Sequence, residues 1–314
     1  MNQFEIDVQM GLSAQPKSLP SKYFYDEIGD RLFVEIMKMP EYYLTDAELE
    51  IFKQQTSAII EVLGLAKEEP FELVELGAGD GTKTIELLKV LVAENYKVDY
   101  APIDISMHAL DGLKERLGSE LPALSVKPRQ GDYFEVLSSL KGTEKRKIVL
   151  FLGSNIGNLL DQRAQLFMEN LSNNLTKNDQ LFLGVDLIKS ADIVLPAYND
   201  AAGITRKFNL NLLQRINNEL GADFAVDQFE HCPEYTEEEG IAKSFLKSKI
   251  EQKVFVKSLD QTFHFEKNEK IHMEISRKYN DKIVRSLIEN TAFSVVDKLV
   301  DSRQYFADYV LQHN

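Results

Sequence analysis

The stretch Phe71-Glu-Leu-Val-Glu75-Leu-Gly77-Ala-Gly79-Asp-Gly81-Thr82 decides how this chain is read. It begins as a short apolar run with strand character, passes into a glycine-rich turn, and is followed over residues 82–91 by apolar positions at helical period. Glycine lets a backbone turn sharply and come close to a ligand, and the helix behind the turn offers unpaired N–H groups. A nucleotide-type ligand suits such a turn. The spacing departs from the dinucleotide fingerprint, because Thr82 stands where the third glycine of G-x-G-x-x-G belongs. A glycine-rich turn that binds nothing accounts equally well for the loop taken alone.

Outward from this point the same alternation recurs. Residues 96–105, 147–152 and 180–185 read as strands, and residues 106–117 and 161–175 as helices, an order that predicts a parallel sheet with helical crossovers. Upstream, Ile28, Leu32, Phe33 and Ile36 share one face of a helix over 26–37, and Thr45 with Glu48 predicts a capping box at the start of the next helix. Downstream, 198–219 reads as helix, whereas 243–256, 261–265 and 271–279 read as successive strands of an antiparallel unit. A helix over 281–290 and strands over 294–300 and 305–311 are expected to close the parallel sheet with an antiparallel edge. The expected fold is α/β: a Rossmann-like doubly wound sheet over 60–190 plus 281–314, with a smaller α+β substrate lobe over 1–59 plus 191–280.

Composition narrows the function. The 314 residues carry 36 Lys and Arg against 50 Asp and Glu, a formal charge of −14, which argues against nucleic acid or an anionic membrane as partner. An apolar share of 44% with 27% charged residues excludes disordered and fibrous classes. The single cysteine, Cys232, excludes an intramolecular disulfide and fits a reducing compartment. Residues 1–19 lack the pattern of a secretory leader, and no apolar stretch approaches the roughly 18 residues of a membrane span. A cytoplasmic monomer acting on a small molecule is expected. His108, His231, His264, His272 and His313 show no metal-ligand spacing, so no metal site is expected.

Beyond the loop, two strand ends add to the constellation. Asp104 ends the second strand, where a carboxylate can accept both hydroxyls of a ribose, although it could equally serve as a local cap. Gly131-Asp132-Tyr133 ends the presumed third strand. Open α/β sheets bind ligands along this C-terminal edge. The E-x-G-x-G-x-G spacing resembles the first motif of class I S-adenosylmethionine (SAM) methyltransferases.

Six segments, the loop among them, make the resemblance specific. Ser21-Lys-Tyr-Phe-Tyr25-Asp-Glu-Ile-Gly, Met39-Pro-Glu-Tyr42-Tyr-Leu-Thr, Val74-Glu-Leu-Gly-Ala-Gly, Leu152-Gly153-Ser-Asn-Ile-Gly-Asn158, Ala197-Tyr198-Asn-Asp-Ala-Ala-Gly and Ile271-His-Met-Glu274-Ile-Ser276 spread from about residue 18 to 280. In these the chain resembles the histidine-specific SAM-dependent methyltransferases, ergothioneine-pathway enzymes that trimethylate the α-amino group of L-histidine. The resemblance implies that Tyr25, Gly77, Lys83, Asp104, Asp132 and Tyr133 contact SAM. It implies that Tyr42, Gly153, Asn158 and Tyr198 hold the amino acid's head group, with Tyr42 and Asn158 aligning the reacting amine. Glu274 and Ser276 would hold the imidazole; both fall on one face of a strand, and without the resemblance a solvated polar face explains them as well. Where the family carries a ring-facing methionine, the alignment places Ser244. A smaller side chain there opens the pocket, so another amine or an aromatic amino acid stays an alternative substrate, and a SAM-binding module without catalysis remains a third reading.

Overall fold

The computed structural model describes residues 1–132, 136, 138 and 145–314, and its chain divides into two compact units. One unit comprises residues 44–188 and 277–314, the other residues 1–43 and 189–276.

The first unit is built on strands β1 (Phe71–Leu76), β2 (Val98–Asp104), β3 (Ser125–Val126), β4 (Arg129–Gln130), β5 (Arg146–Phe151), β6 (Gln180–Asp186), β7 (Phe293–Val300) and β8 (Phe306–His313). They lie in the order β7-β8-β6-β5-β1-β2-β3, with β4 also pairing β2. From β3 to β6 every pairing is parallel, while β8 runs antiparallel to both β6 and β7. The expected antiparallel closure is therefore a hairpin whose second strand, β8, is inserted beside β6. Strands β1 and β6 are buried along their whole length, as central strands covered on both faces must be.

Helices α1 (Tyr43–Gln54), α2 (Thr56–Val62), α3 (Thr84–Ala93), α4 (Met107–Glu120), α5 (Asp161–Asn174) and α6 (Asp281–Leu287) complete this unit. Helix α1 belongs with the sheet because Ala47, Ile51 and Phe52 join the core of Leu73, Leu88, Ile148 and Phe182. The boundary thus falls at residue 43, earlier than residue 59. The capping box does not form: the helix already runs from Tyr43, so Thr45 lies inside it, and the Glu48 carboxylate turns into the core to accept the Gly153 N–H.

The segment 189–276 leaves and rejoins the sheet unit at one clasp. Ile188 N–H donates to the Tyr279 carbonyl at 2.9 Å, and Tyr279 N–H to the Asp186 carbonyl at 2.8 Å. A fully buried ion pair, Lys278 Nζ to Asp186 at 2.7 Å, locks the same point.

The second unit has a four-stranded sheet in the order Lys17–Ser18, Lys270–Arg277, Ile241–Ser248 and Phe229–Glu234, and a separate hairpin of Gln252–Val256 with Gln261–Phe265. Its core joins Phe24, Phe208, Leu212, Ile216, Leu246, Val254, Phe265 and Met273. The span read as one strand over 243–256 is two strands, and the helix read over 198–219 begins only at Ile204 and runs to Leu220, behind a separate helix Ala191–Tyr198. Its start is fixed there because the Asp200 carboxylate takes the N–H groups of Ile204 and Thr205, both at 2.8 Å. Helix Gln3–Ser13 and strand Phe229–Glu234 had no counterpart in the sequence reading.

Candidate functional site

In the sheet unit the parallel strands deliver their C-terminal ends to a common edge, and Gly77, Lys83, Asp104 and Asp132 of the expected cofactor residues belong to this unit. Gly77, Gly79 and Gly81 all adopt positive φ, between 53° and 72°, which side chains would strain. Gly77 and Ala78 donate their N–H groups to the Ile103 carbonyl at 2.7 and 3.1 Å. The Asp104 carboxylate accepts Gly79 N–H through one oxygen and Ser106 N–H through the other, each at 2.9 Å. The Asp104 carbonyl accepts Gly131 N–H at 3.0 Å, which brings Asp132 to the same strand end. Asp104 thus caps the loop, the local role the sequence allowed for it, and its carboxylate oxygens each keep further lone pairs. Tyr133 lies outside the described residues.

Beneath the loop, Glu75 is fully buried and accepts a hydrogen bond from Tyr100. Burial, only partly offset by Tyr100, pushes its carboxyl up to about 7. Lys83, at the start of α3, pairs with the buried Glu48 carboxylate. Burial opposes its charge, but Glu48 outweighs burial and leaves the ammonium above the usual lysine range. Glu48 and its neighbour Asp308 escaped sequence reasoning. The signal was present: Glu48 falls on the buried stripe of α1 with Leu44, Ala47, Ile51 and Phe52, and Asp308 interrupts an apolar strand.

The turn from Leu152 to Asn158 starts with Gly153 at φ +69° and Ser154 at φ +58°. The Ser154 hydroxyl accepts Asp186 N–H at 3.0 Å, and Gly157 lies against the backbone of Arg277, where a Cβ would come within 2.7 Å of the carbonyl oxygen. A short 3-10 turn ends at Asn158, whose side chain is exposed.

The other expected residues belong to the second unit. Tyr25 packs edge-on to Phe33 and Phe208, and Tyr42 packs edge-on to Phe33. Tyr198 ends its helix, and its carbonyl is bonded by His231 Nε2 at 2.8 Å. On strand Lys270–Arg277, Ile271, Met273 and Ile275 are buried in the core, so His272, Glu274 and Ser276 share the other face. The His272 ring meets Phe245 at 5.3 Å, which puts Phe245 on the Glu274 face. Ser244 alternates with Phe245 and is buried on the face of Leu246. By alternation Ser244 stands on the face opposite Phe245. Phe245 is the aromatic neighbour that the sequence reading missed.

No group of three or more metal-ligating side chains occurs among the described residues, and no helix among them is long and apolar enough to cross a membrane. The sequence over residues 4–313 matches the family described as histidine-specific, SAM-dependent methyltransferases. The chain belongs to this family. It is 37% identical to the histidine N-alpha-methyltransferase of Mycolicibacterium smegmatis over 284 residues, 90% of this chain and 87% of that protein. It is 36% identical to the histidine N-alpha-methyltransferase of Mycobacterium tuberculosis over 278 residues, covering 88% and 85% of the two chains. Ergothioneine biosynthesis protein 1 of Schizosaccharomyces pombe is 31% identical over 300 residues, which span 93% of this chain but 38% of that one. As a member of this family the chain is a SAM-dependent methyltransferase with a class I α/β sheet.

Proposed function

We propose that this chain transfers methyl groups from SAM to the α-amino group of L-histidine, as far as the trimethylated product. The observation that carries the reading is the polar strand face on which Glu274 and Ser276 stand beside His272 and Phe245. An acid and a hydroxyl next to an aromatic ring suit an imidazole, which offers one N–H donor, one acceptor nitrogen and a flat face.

SAM supplies a methyl group already activated on a sulfonium centre. The chain's own task is then binding and alignment, which for well-oriented reactants contributes up to about 7 to 11 kcal/mol. Asp104 and the glycine loop from Gly77 to Gly81 hold the nucleoside, Asp132, Tyr133 and Tyr25 are assigned to the same cofactor, and Lys83 attends the carboxylate of its methionine part. Tyr42, Gly153, Asn158 and Tyr198 hold the amino and carboxylate groups of the amino acid. Asn158 can both donate and accept, which lets it follow the amine as methyl groups accumulate. The attacking amine must be neutral, and a sulfonium nearby lowers its pKa by like-charge repulsion. Water takes the released proton, and Tyr42 and Asn158 orient the nitrogen. We further place the enzyme in the cytoplasm as a monomer with small-molecule partners only, in keeping with its acidity and single cysteine.

The test compares methylation of histidine, tryptophan and phenylalanine at one SAM concentration by the parent and by Glu274→Ala. The parent should prefer histidine, and the variant should lose at least about tenfold of that preference, or roughly 1.4 kcal/mol. A parent that ignores histidine and methylates another amine would falsify the substrate assignment.

A further inference from the structure

Glu48 is the meeting point of several groups inside the sheet unit. Its fully buried carboxylate takes the Gly153 N–H at 2.9 and 3.0 Å and pairs with Lys83. Asp308, also fully buried, approaches from β8 across Gly184. A Cβ on Gly184 would lie 2.1 Å from Glu48 Oε1 and 2.9 Å from Asp308 Oδ1, so the two carboxyl groups occupy the space that the glycine leaves. Among the described residues neither oxygen of Asp308 has a hydrogen-bond donor.

Two carboxylates with one ammonium leave a surplus negative charge away from water, a costly state that binding a proton relieves. Lys83 is bonded to Glu48, so Glu48 keeps the charge and the proton goes to Asp308, whose O–H can then donate to Glu48. We propose that Glu48 and Asp308 form an acid–carboxylate pair sharing one proton, and that this pair is a positioning device fixing Lys83 behind the cofactor loop and Gly153 at the head of its turn. Burial first, and the Glu48 charge second, push the Asp308 carboxyl well above the carboxylate range, against the opposing pull of Lys83. The charged groups that face the pair are Lys83 and, through its interaction with both Lys83 and Glu48, Glu75 of β1. The effect on cofactor binding rests on the assignment of Lys83 to SAM; the shared proton does not.

Thermal unfolding of the ligand-free, full-length enzyme from about pH 5 to 8 tests the proton, with Asp308→Asn as a neutral replacement of the same shape. An unfolded aspartate has already released its proton in this range while Asp308 retains it, so the parent loses stability as pH rises and the variant is spared. The Tm of Asp308→Asn should therefore gain steadily on the parent with pH, and a constant difference overturns the pair. Should Asp308→Asn not fold, an infrared band of a protonated carboxyl, present in the parent at about pH 8 and retained in Glu75→Gln, supports the pair, and its absence overturns it. Calorimetric titration with S-adenosylhomocysteine tests the positioning. Glu48→Gln should weaken binding by about tenfold or more and Asp308→Asn by less than about threefold, whereas equal losses overturn the device. If Lys83→Met binds as tightly as the parent, the Lys83 assignment fails, and the unfolding curves alone decide the shared proton.

Discussion

Asp104 is assigned two duties on one carboxylate. It takes the amides of Gly79 and Ser106, and its remaining lone pairs face the edge where a ribose would bind. Asp104→Ala should cost S-adenosylhomocysteine binding about 1.5 to 3 kcal/mol, measured by calorimetry, since charged acceptors contribute that much per lost bond. An unchanged affinity would remove Asp104 from the cofactor site. Asn158 is exposed and ends its turn, so Asn158→Ala should lower kcat far more than it raises the cofactor Kd; equal losses in a kinetic and a binding assay would move it to the cofactor side. Asp104 stood out in the sequence as a carboxylate at a strand end, whereas Asn158 was singled out only by the family resemblance. Glu48 was misread. The spacing Thr45-x-x-Glu48 satisfies a local rule, and only the fold shows the tertiary partner Gly153 that overrides it.

At the scale of elements, the parallel core was legible because each central strand is a continuous apolar run bounded by turn residues, and the helices between follow the 3.6 period. The other unit was harder. Strand Phe229–Glu234 is only half buried and contains Pro233, and the turn at residues 249–251 carries no glycine, so neither signal marked the breaks. Strand faces separate neighbours here, since Ser244 is buried while Phe245, one residue on, stands beside His272. Gly184 makes the same point in β6: it is a glycine in a strand because two carboxyls lie over it. Gly184→Ala should lower stability by about 1 to 3 kcal/mol in denaturant unfolding through overpacking, and a neutral substitution would show that the carboxyls can move aside.

For the whole molecule, buried acids make stability depend on pH. The Glu75 carboxyl holds its proton up to about 7, while the ordinary value is near 4.5, so between these limits the folded state binds more protons than the unfolded one. The Glu75 contribution to stability falls as pH rises through that window and levels off above it. Glu75→Gln should remove this part of the slope, seen as a gain over the parent that grows from about pH 4.5 to 7 and then stays constant; parallel curves would refute the assignment. The clasp at Ile188 and Tyr279 has a different consequence. Because the excursion between those residues begins and ends on neighbouring backbone, lengthening it adds little closure entropy and leaves the strand pairing alone. The segment bearing Tyr198, Glu274 and Ser276 is in effect a graft on a self-sufficient stock: its side chains, or whole strands, can be exchanged while the register that aligns Gly77, Asp104 and Gly153 is left intact.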